Sequence, residues 1–209
     1  MKLAIFGATG GVGRNLMNQA LEAGHEVTVL TRNADRLHRP DRRLTVLEGD
    51  VRDPAAVARV VEGQDAVLVT LGAPLMDNSG IREAGTRTVV DAMKTAGVRR
   101  LICLSVFGAG ESWVQLPRFY RWVIMPLVLR RVLKDHVAQE AIVRASGLDW
   151  SLARPGNFTD GALTGNYWHG AELPERKLSM KISRADVADY MLRQLGQAGA
   201  RGRAEAISY

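Results

Sequence analysis

Cysteine is almost absent from this 209-residue chain; Cys103 stands alone. One thiol closes no internal disulfide and builds no cysteine-based zinc site. Lysine is scarce as well, with five residues among the 28 Lys and Arg. The formal net charge of +6, from 28 basic against 22 acidic residues, is therefore an arginine excess. No apolar run approaches the ~18 residues of a membrane span. The longest, residues 122–129, has eight and contains Pro126. The apolar stretch ahead of Gly7 is too short for a signal peptide, so a cytoplasmic protein without an integral membrane segment is expected. On charge alone an acidic partner such as nucleic acid stays open. What is present is ordinary globular composition, 46% hydrophobic and 24% charged. That length supports one core of good size and would cramp two.

The first hundred residues alternate strand and helix patterns. Strands are expected at residues 2–6, 26–31, 43–48, 66–71 and 100–106. Helices are expected at 11–23 (Val12, Leu16, Ala20 and Ala23 on one side, Gly24 as stop), from Pro54 to 62, and at 81–96 with Gly97 as stop. This alternation implies a parallel sheet covered on both faces. In the second half a helix is expected from Pro126 to Ser146, ended by Gly147, and a strand at 149–153. Residues 154–174, with six glycines or prolines, read as a long loop. Ser183-Arg184-Ala185-Asp186 is close to a capping box and opens a helix ended by Gly196. Residues 204–208 make a last strand.

Gly7-Ala8-Thr9-Gly10-Gly11-Val12-Gly13 follows the first strand and opens the first helix. One glycine permits the tight turn, one lets backbone approach a pyrophosphate, and one lets helix and strand pack closely. The helix N-terminus offers free N–H groups and partial positive charge to phosphate. No Gly-Lys-Ser/Thr follows, so the pattern points to a dinucleotide and not to a triphosphate. An acid ending the second strand would bind the ribose 2′-hydroxyl of NAD. Here Thr31-Arg32-Asn33 stands instead, with Arg36 one turn later, and Asp35 lies past the strand end. Guanidinium groups there suit a 2′-phosphate, so NADP is expected over NAD.

Together these residues, with Gly49-Asp50-Val51 and Ser146-Gly147-Leu148-Asp149-Trp150 through Arg154-Pro155-Gly156, resemble the atypical short-chain dehydrogenase/reductases of the NAD(P)H-binding, NmrA-like kind. Gly63-Gln64-Asp65-Ala66-Val67, Leu71-Gly72, Ala92-Met93-Lys94, Asp135-His136 and Leu163-Thr164-Gly165-x-Tyr167 are most similar to the flavin reductase/biliverdin-IXβ reductase branch. The resemblance covers nearly the whole chain. It implies a Rossmann-type α/β fold, a doubly wound parallel sheet with helices on both faces. It further implies that Gly7, Thr9, Gly10, Gly11 and Val12 line the pyrophosphate and that Arg32 and Arg36 hold the 2′-phosphate. Asp50 and Val51 would contact adenine, and Leu71 and Gly72 would lie along the ribose. Ser105 would sit near the nicotinamide, with Pro155 closing that side. The branch carries a histidine soon after the strand that ends here at Arg154-Pro155. This chain has Gly156-Asn157 there, so an activity built on that histidine is not implied.

The Tyr-x-x-x-Lys pair of many short-chain dehydrogenases is absent: four residues beyond Tyr120, Tyr167 and Tyr190 stand Ile124, Ala171 and Gln194, and Tyr209 ends the chain. Alcohol–ketone chemistry of the usual kind is therefore not expected. Hydride transfer to an electrophilic planar acceptor needs less from the protein, because the cofactor carries the chemistry. Ser105 is the favoured catalytic candidate, as an orienting hydrogen-bond donor, ahead of Lys134, His136 and Tyr120. His136 and Glu140, four apart on one helix face, are read as a structural pair, and no third ligand points to a metal. Cys103, within an apolar strand, is expected buried and inert. The aromatic segment Trp113, Phe119, Tyr120, Trp122 with Met125 is open between pocket lid, plain packing and a partner or membrane surface. Arg118 and Arg121 fall opposite Arg130 and Arg131 on a helical wheel, which speaks against a nucleic-acid stripe. The expectation is one domain over residues 1–209 with a substrate-side region at about 107–134 and 155–182, a monomer or weak dimer. Its expected activity is NADPH-dependent reduction of a small planar acceptor such as a flavin, quinone or bilin. The alternative is a non-catalytic NADP(H)-binding redox sensor acting through a protein partner.

Overall fold

The computed structural model describes residues 1–37, 39–74, 77, 79–119, 121–122, 129–174, 178–196 and 202–209. The chain runs β1 (Lys2–Phe6), α1 (Gly11–Glu22), β2 (Glu26–Thr31), β3 (Leu44–Glu48), α2 (Pro54–Val61), β4 (Ala66–Val69), α3 (Ile81–Ala96) and β5 (Arg100–Leu104). It continues α4 (Arg130–Ala145), β6 (Asp149–Pro155), β7 (Asn157–Thr159), β8 (Trp168–Gly170), β9 (Lys181–Ser183), α5 (Arg184–Arg193) and β10 (Arg203–Ser208). Short 3-10 turns occupy Ala34–Arg36 and Gly110–Gln115.

Local chemistry explains most of these boundaries. Asp53 caps α2 by accepting from the Ala55 amide at 2.9 Å, and Pro54 fills the first helical position, where no amide is needed. Gly97 stops α3 in the left-handed region at φ 71°. Ser183 Oγ accepts from the Asp186 amide at 3.0 Å and opens α5. The α3 N-terminus is capped from a distance: Asp135 on α4 accepts from the amides of Arg82 (3.3 Å) and Glu83 (3.0 Å).

The main sheet has the order β3-β2-β1-β4-β5-β6-β10-β8. All its pairs are parallel except β10 with β8. Side chains alternate between two cores, as the pleat requires. Leu3 and Ile5 of β1 pack with Val12, Leu16 and Met17 of α1 and Val187 and Met191 of α5. Ala4 and Phe6 pack with Val57 and Val60 of α2, Val89 and Met93 of α3 and Val143 of α4. The expected Rossmann-type doubly wound sheet with helices on both faces is thus present. Its order reverses between β1 and β4, which opens a crevice at the carboxyl ends of those strands.

Several expectations need correction. Residues 154–174 are not one long loop. β6 extends to Pro155, β7 pairs in parallel with β9, and β8 adds antiparallel to β10. Their ladder partners lie far along the chain, so glycine and proline content masked them. The strand expected at 66–71 ends at Val69, freeing Leu71 and Gly72 for the crevice. The described helix before Ser146 begins at Arg130; Pro126 lies outside the described residues. The last helix ends at Arg193, before Gly196. Among the described residues no helix is long and apolar enough to cross a membrane.

Candidate functional site

The turn after β1 is built on close backbone approach. Gly7 has φ +93°, and a Cβ there would stand 2.5 Å from the Thr70 carbonyl oxygen. A Cβ on Gly13 would stand 2.1 Å from the Gly7 carbonyl oxygen. Only glycine permits either approach. Thr70, just past β4, donates both its amide (2.8 Å) and its hydroxyl (3.0 Å) to the Phe6 carbonyl, which fixes the floor of the crevice. The Gly10 amide closes the turn onto Gly7 at 3.0 Å, and the first intrahelical bond runs from Arg14 to Gly10 at 2.9 Å. The amides of Gly11, Val12 and Gly13 therefore precede the helical ladder. Gly10 provides no side-chain cap, and the first turn contains no acid. Such an end attracts anions.

The other expected residues stand at the ends of successive strands. Arg32 follows β2 and is exposed, and Arg36 lies in the adjoining 3-10 turn. Among the described residues neither guanidinium makes a hydrogen bond or ion pair. Asp50, past β3, accepts from Arg52 through its amide (2.9 Å), Nε (2.9 Å) and Nη2 (2.7 Å). Those bonds, above all the side-chain ones, with a smaller contribution from Arg32, bring its pKa down to about 2. Val51 and Leu71 converge over α3, where a Cβ on Gly85 would stand 2.7 Å from Leu71 Cδ1 and 2.8 Å from Val51 Cγ1. Gly85 is a missed member of this wall; its spacing within a helix gave no signal. Gly72 is exposed and has open space around its Cα. Pro155 ends β6, buried, and its carbonyl accepts from Phe107 at 3.0 Å.

Ser105 extends the β5–β6 ladder, its amide donating to Ala153 at 2.7 Å. Its hydroxyl donates to Glu140 Oε1 at 2.6 Å. Glu140, 3% exposed, also accepts from Arg154 Nε (2.8 Å) and Nη2 (2.5 Å). Arg154 reaches Glu111 at 3.1 Å, and Glu111 in turn receives Arg144 at 2.8 Å. Burial alone would raise the Glu111 pKa; hydrogen bonds from Arg154 and Arg144 outweigh it and bring it to about 2. Nothing in the sequence pointed to this chain of charges, buried at Glu140 and Arg154 and reaching the surface at Glu111 and Arg144. It joins residues on β5, β6, α4 and the 110–115 turn, which share no local sequence pattern.

The expected His136–Glu140 pair does not form. His136 Nδ1 bonds Gln139 at 3.2 Å, and Glu140 is turned to Ser105 and Arg154. Burial, helped by the Arg82 charge, lowers the His136 pKa to about 4, so the ring is neutral near pH 7. Cys103 is fully buried, and burial pushes its thiol pKa upward. Lys134 lies on α4, and Tyr120 and Met125 lie outside the described residues. In the aromatic segment, Trp113 packs against Phe107 and Leu116, whereas Phe119 and Trp122 are exposed.

The fold and this crevice define a Rossmann-type dinucleotide-binding protein. The chain belongs to the NAD(P)H-binding family, whose profile matches residues 7–198. Among curated proteins it is 30% identical to protein YwnB of Bacillus subtilis over 203 residues, covering 93% of this chain and 92% of that one. It is also 30% identical over 162 residues to the (4-alkanoyl-5-oxo-2,5-dihydrofuran-3-yl)methyl phosphate reductase of Streptomyces griseus, covering 78% of this chain and 50% of that protein. Among solved structures, the ChuY anaerobillin reductase of Escherichia coli O157:H7 superposes with TM-score 0.81 at 24% identity, over 99% of this chain and 96% of that one. A short-chain dehydrogenase/reductase of Veillonella parvula in complex with NADP gives TM-score 0.83 at 19% identity, over 100% and 94%. These last two likenesses establish the shared fold.

Proposed function

We propose that this protein is an NADPH-dependent reductase of the atypical short-chain type that delivers hydride to a small planar acceptor such as a flavin, quinone or bilin. The observation that carries the reading is the open N-terminus of α1 beside Gly7, with two guanidiniums after β2 that, among the described residues, make no hydrogen bond or ion pair. The amides of Gly11, Val12 and Gly13, with Thr9 and Gly10 in the turn, would hold the pyrophosphate. Arg32 and Arg36 would fork onto the 2′-phosphate. Asp50, Val51, Leu71 and Gly72 would flank adenine and ribose, and Ser105 and Pro155 the nicotinamide. When bound, NADPH supplies the hydride.

Ser105 acts here by position. Its proton is directed to Glu140, so toward a ligand its Oγ offers lone pairs, which suit an amide NH2. That changes the expected role from donor to acceptor. With no Tyr-x-x-x-Lys pair, the proton that completes reduction comes from solvent. The substrate-side region at about 107–134 and 155–182 would cover the acceptor; of it, residues 120, 123–128 and 175–177 lie outside the described residues. The reductase named among the relatives supports this class of chemistry.

Two measurements test the reading. NADPH oxidation with FMN, biliverdin and simple quinones should rise well above background with at least one of them. Tight NADPH binding without turnover on any would leave the redox sensor acting through a partner. For the cofactor, Arg32→Ala should weaken NADPH about tenfold or more, as expected for losing a charge-assisted bond to phosphate, and leave NADH nearly unchanged. Equal weakening of both would overturn the 2′-phosphate assignment.

A further inference from the structure

Arg184 opens α5 immediately after the Ser183 cap, yet its side chain runs across the N-terminus of α1. A Cβ on Gly11 would stand 2.5 Å from Arg184 Cδ and 2.7 Å from Nε. Gly11 thus serves a second purpose: its missing side chain is the space through which this arginine reaches the phosphate turn. The guanidinium ends on Asp160 Oδ1 at 2.5 Å and stands 5.3 Å from the centre of the Phe158 ring. The Asp160 side chain is 89% exposed.

Three physical points converge on this arginine. First, it adds a full positive charge to a helix end that already attracts anions and that no acidic side chain of the first turn neutralises. Second, its carboxylate partner is almost wholly in water, and an ion pair of that kind holds its members weakly. Third, a pyrophosphate offers denser negative charge and paired oxygens that match the guanidinium fork. A bound anion at α1 would therefore outcompete Asp160 for Arg184.

We infer that Arg184 is a pyrophosphate-binding residue of the dinucleotide site, held near it by Asp160 until the cofactor arrives. On binding, the guanidinium exchanges Asp160 for the phosphates, its stem still lying over Gly11. The inference rests on the reading of this helix end as the cofactor site. It adds a contact from α5, at the far end of the sequence, to a turn that opens the chain. Because the pyrophosphate is common to both nicotinamide dinucleotides, Arg184 contributes affinity without selecting NADPH over NADH.

Titration of the intact protein and two exposed-site variants with NADPH, NADH and 2′-AMP, which lacks the pyrophosphate, tests this. Arg184→Gln should weaken NADPH and NADH by a similar factor, about tenfold or more, and leave 2′-AMP unchanged. Asp160→Asn, which removes the competitor, should tighten both dinucleotides. In the double variant the Asp160 effect should vanish. Wild-type affinity in Arg184→Gln, or weaker dinucleotide binding in Asp160→Asn, would overturn the inference while leaving the cofactor site itself intact. A wild-type protein that binds neither dinucleotide would instead overturn the site reading. Thermal melts of each variant separate lost binding from lost folding.

Discussion

Glu140 shows how much one residue holds in place. Its carboxylate is almost fully buried and receives Ser105 Oγ, Arg154 Nε and Arg154 Nη2. Taking a charge out of water is costly, and the cost is met only while both members of the pair are present. Arg154 is 2% exposed, so losing the Glu140 charge leaves its buried guanidinium with Glu111, whose side chain is largely in water, as its carboxylate partner. Glu140→Gln should lower the free energy of unfolding by about 3–5 kcal/mol. Ser105→Ala, which removes one neutral donor, should cost about 1 kcal/mol or somewhat more, since its acceptor is charged. Urea unfolding of both variants checks this; similar midpoints would mean that the buried pair has another source of compensation. The sequence displayed Glu140 but gave it the wrong partner. Helical periodicity puts His136 on the same face, whereas the direction of each side chain is set by what the neighbouring strand offers.

Among the elements, the most consequential join is the one between α5 and the turn at residues 164–165. Asp186, in the first turn of α5, is fully buried and accepts from the amides of Thr164 and Gly165, each at 2.8 Å. It also receives the hydroxyls of Thr164, Ser183 and Tyr209. Burial pushes its pKa up, but the bonds from Tyr209, Gly165 and Thr164 outweigh that and hold it below the ordinary carboxylate value. One side chain thereby braces the Ser183 cap, fixes a turn and holds Tyr209. Asp186→Ala should let the Thr164 and Gly165 amides exchange rapidly with deuterium while β1 and β4 stay protected. Unchanged protection at 164 and 165 would show that the turn is held by something else. The cap at Ser183 was legible, because serine followed three residues later by an acid is a local signal. The second job of Asp186 was not, because its partners lie more than twenty residues away.

For the molecule as a whole, the buried His136 links stability to pH. It is neutral in the folded state, with a pKa of about 4 against an ordinary 6.5. Between those values the unfolded chain binds a proton that the folded chain does not, so stability falls as pH falls from about 6.5 toward 4. The loss amounts to a few kcal/mol by about pH 4, and above pH 6.5 this group contributes no slope. Chemical denaturation across that range should show the fall, and His136→Gln should flatten most of it. A variant with the wild-type slope would place the effect elsewhere. The arginine excess also takes a molecular form. Arg39, Arg43, Arg52, Arg82, Arg87, Arg144, Arg154, Arg184 and Arg193 are all paired with carboxylates. Arg32 and Arg36 stand apart from these at the end of β2.

By itself the sequence determined what short-range chemistry dictates. It placed strand, glycine turn and helix at the start of the chain, because only glycine tolerates the backbone approaches at positions 7 and 13. It placed arginine where an acid would select NAD, and it lacked a Tyr-x-x-x-Lys pair. Tertiary structure decided the rest: Arg154 and not His136 for Glu140, Arg184 across Gly11, Gly85 beneath Val51 and Leu71, and the short strands β7 and β8. Each of these depends on groups that the packed fold brings together from separate stretches of chain. Desolvation makes a buried charge or strand edge take whichever partner the packed sheet presents, and no local spacing encodes that choice.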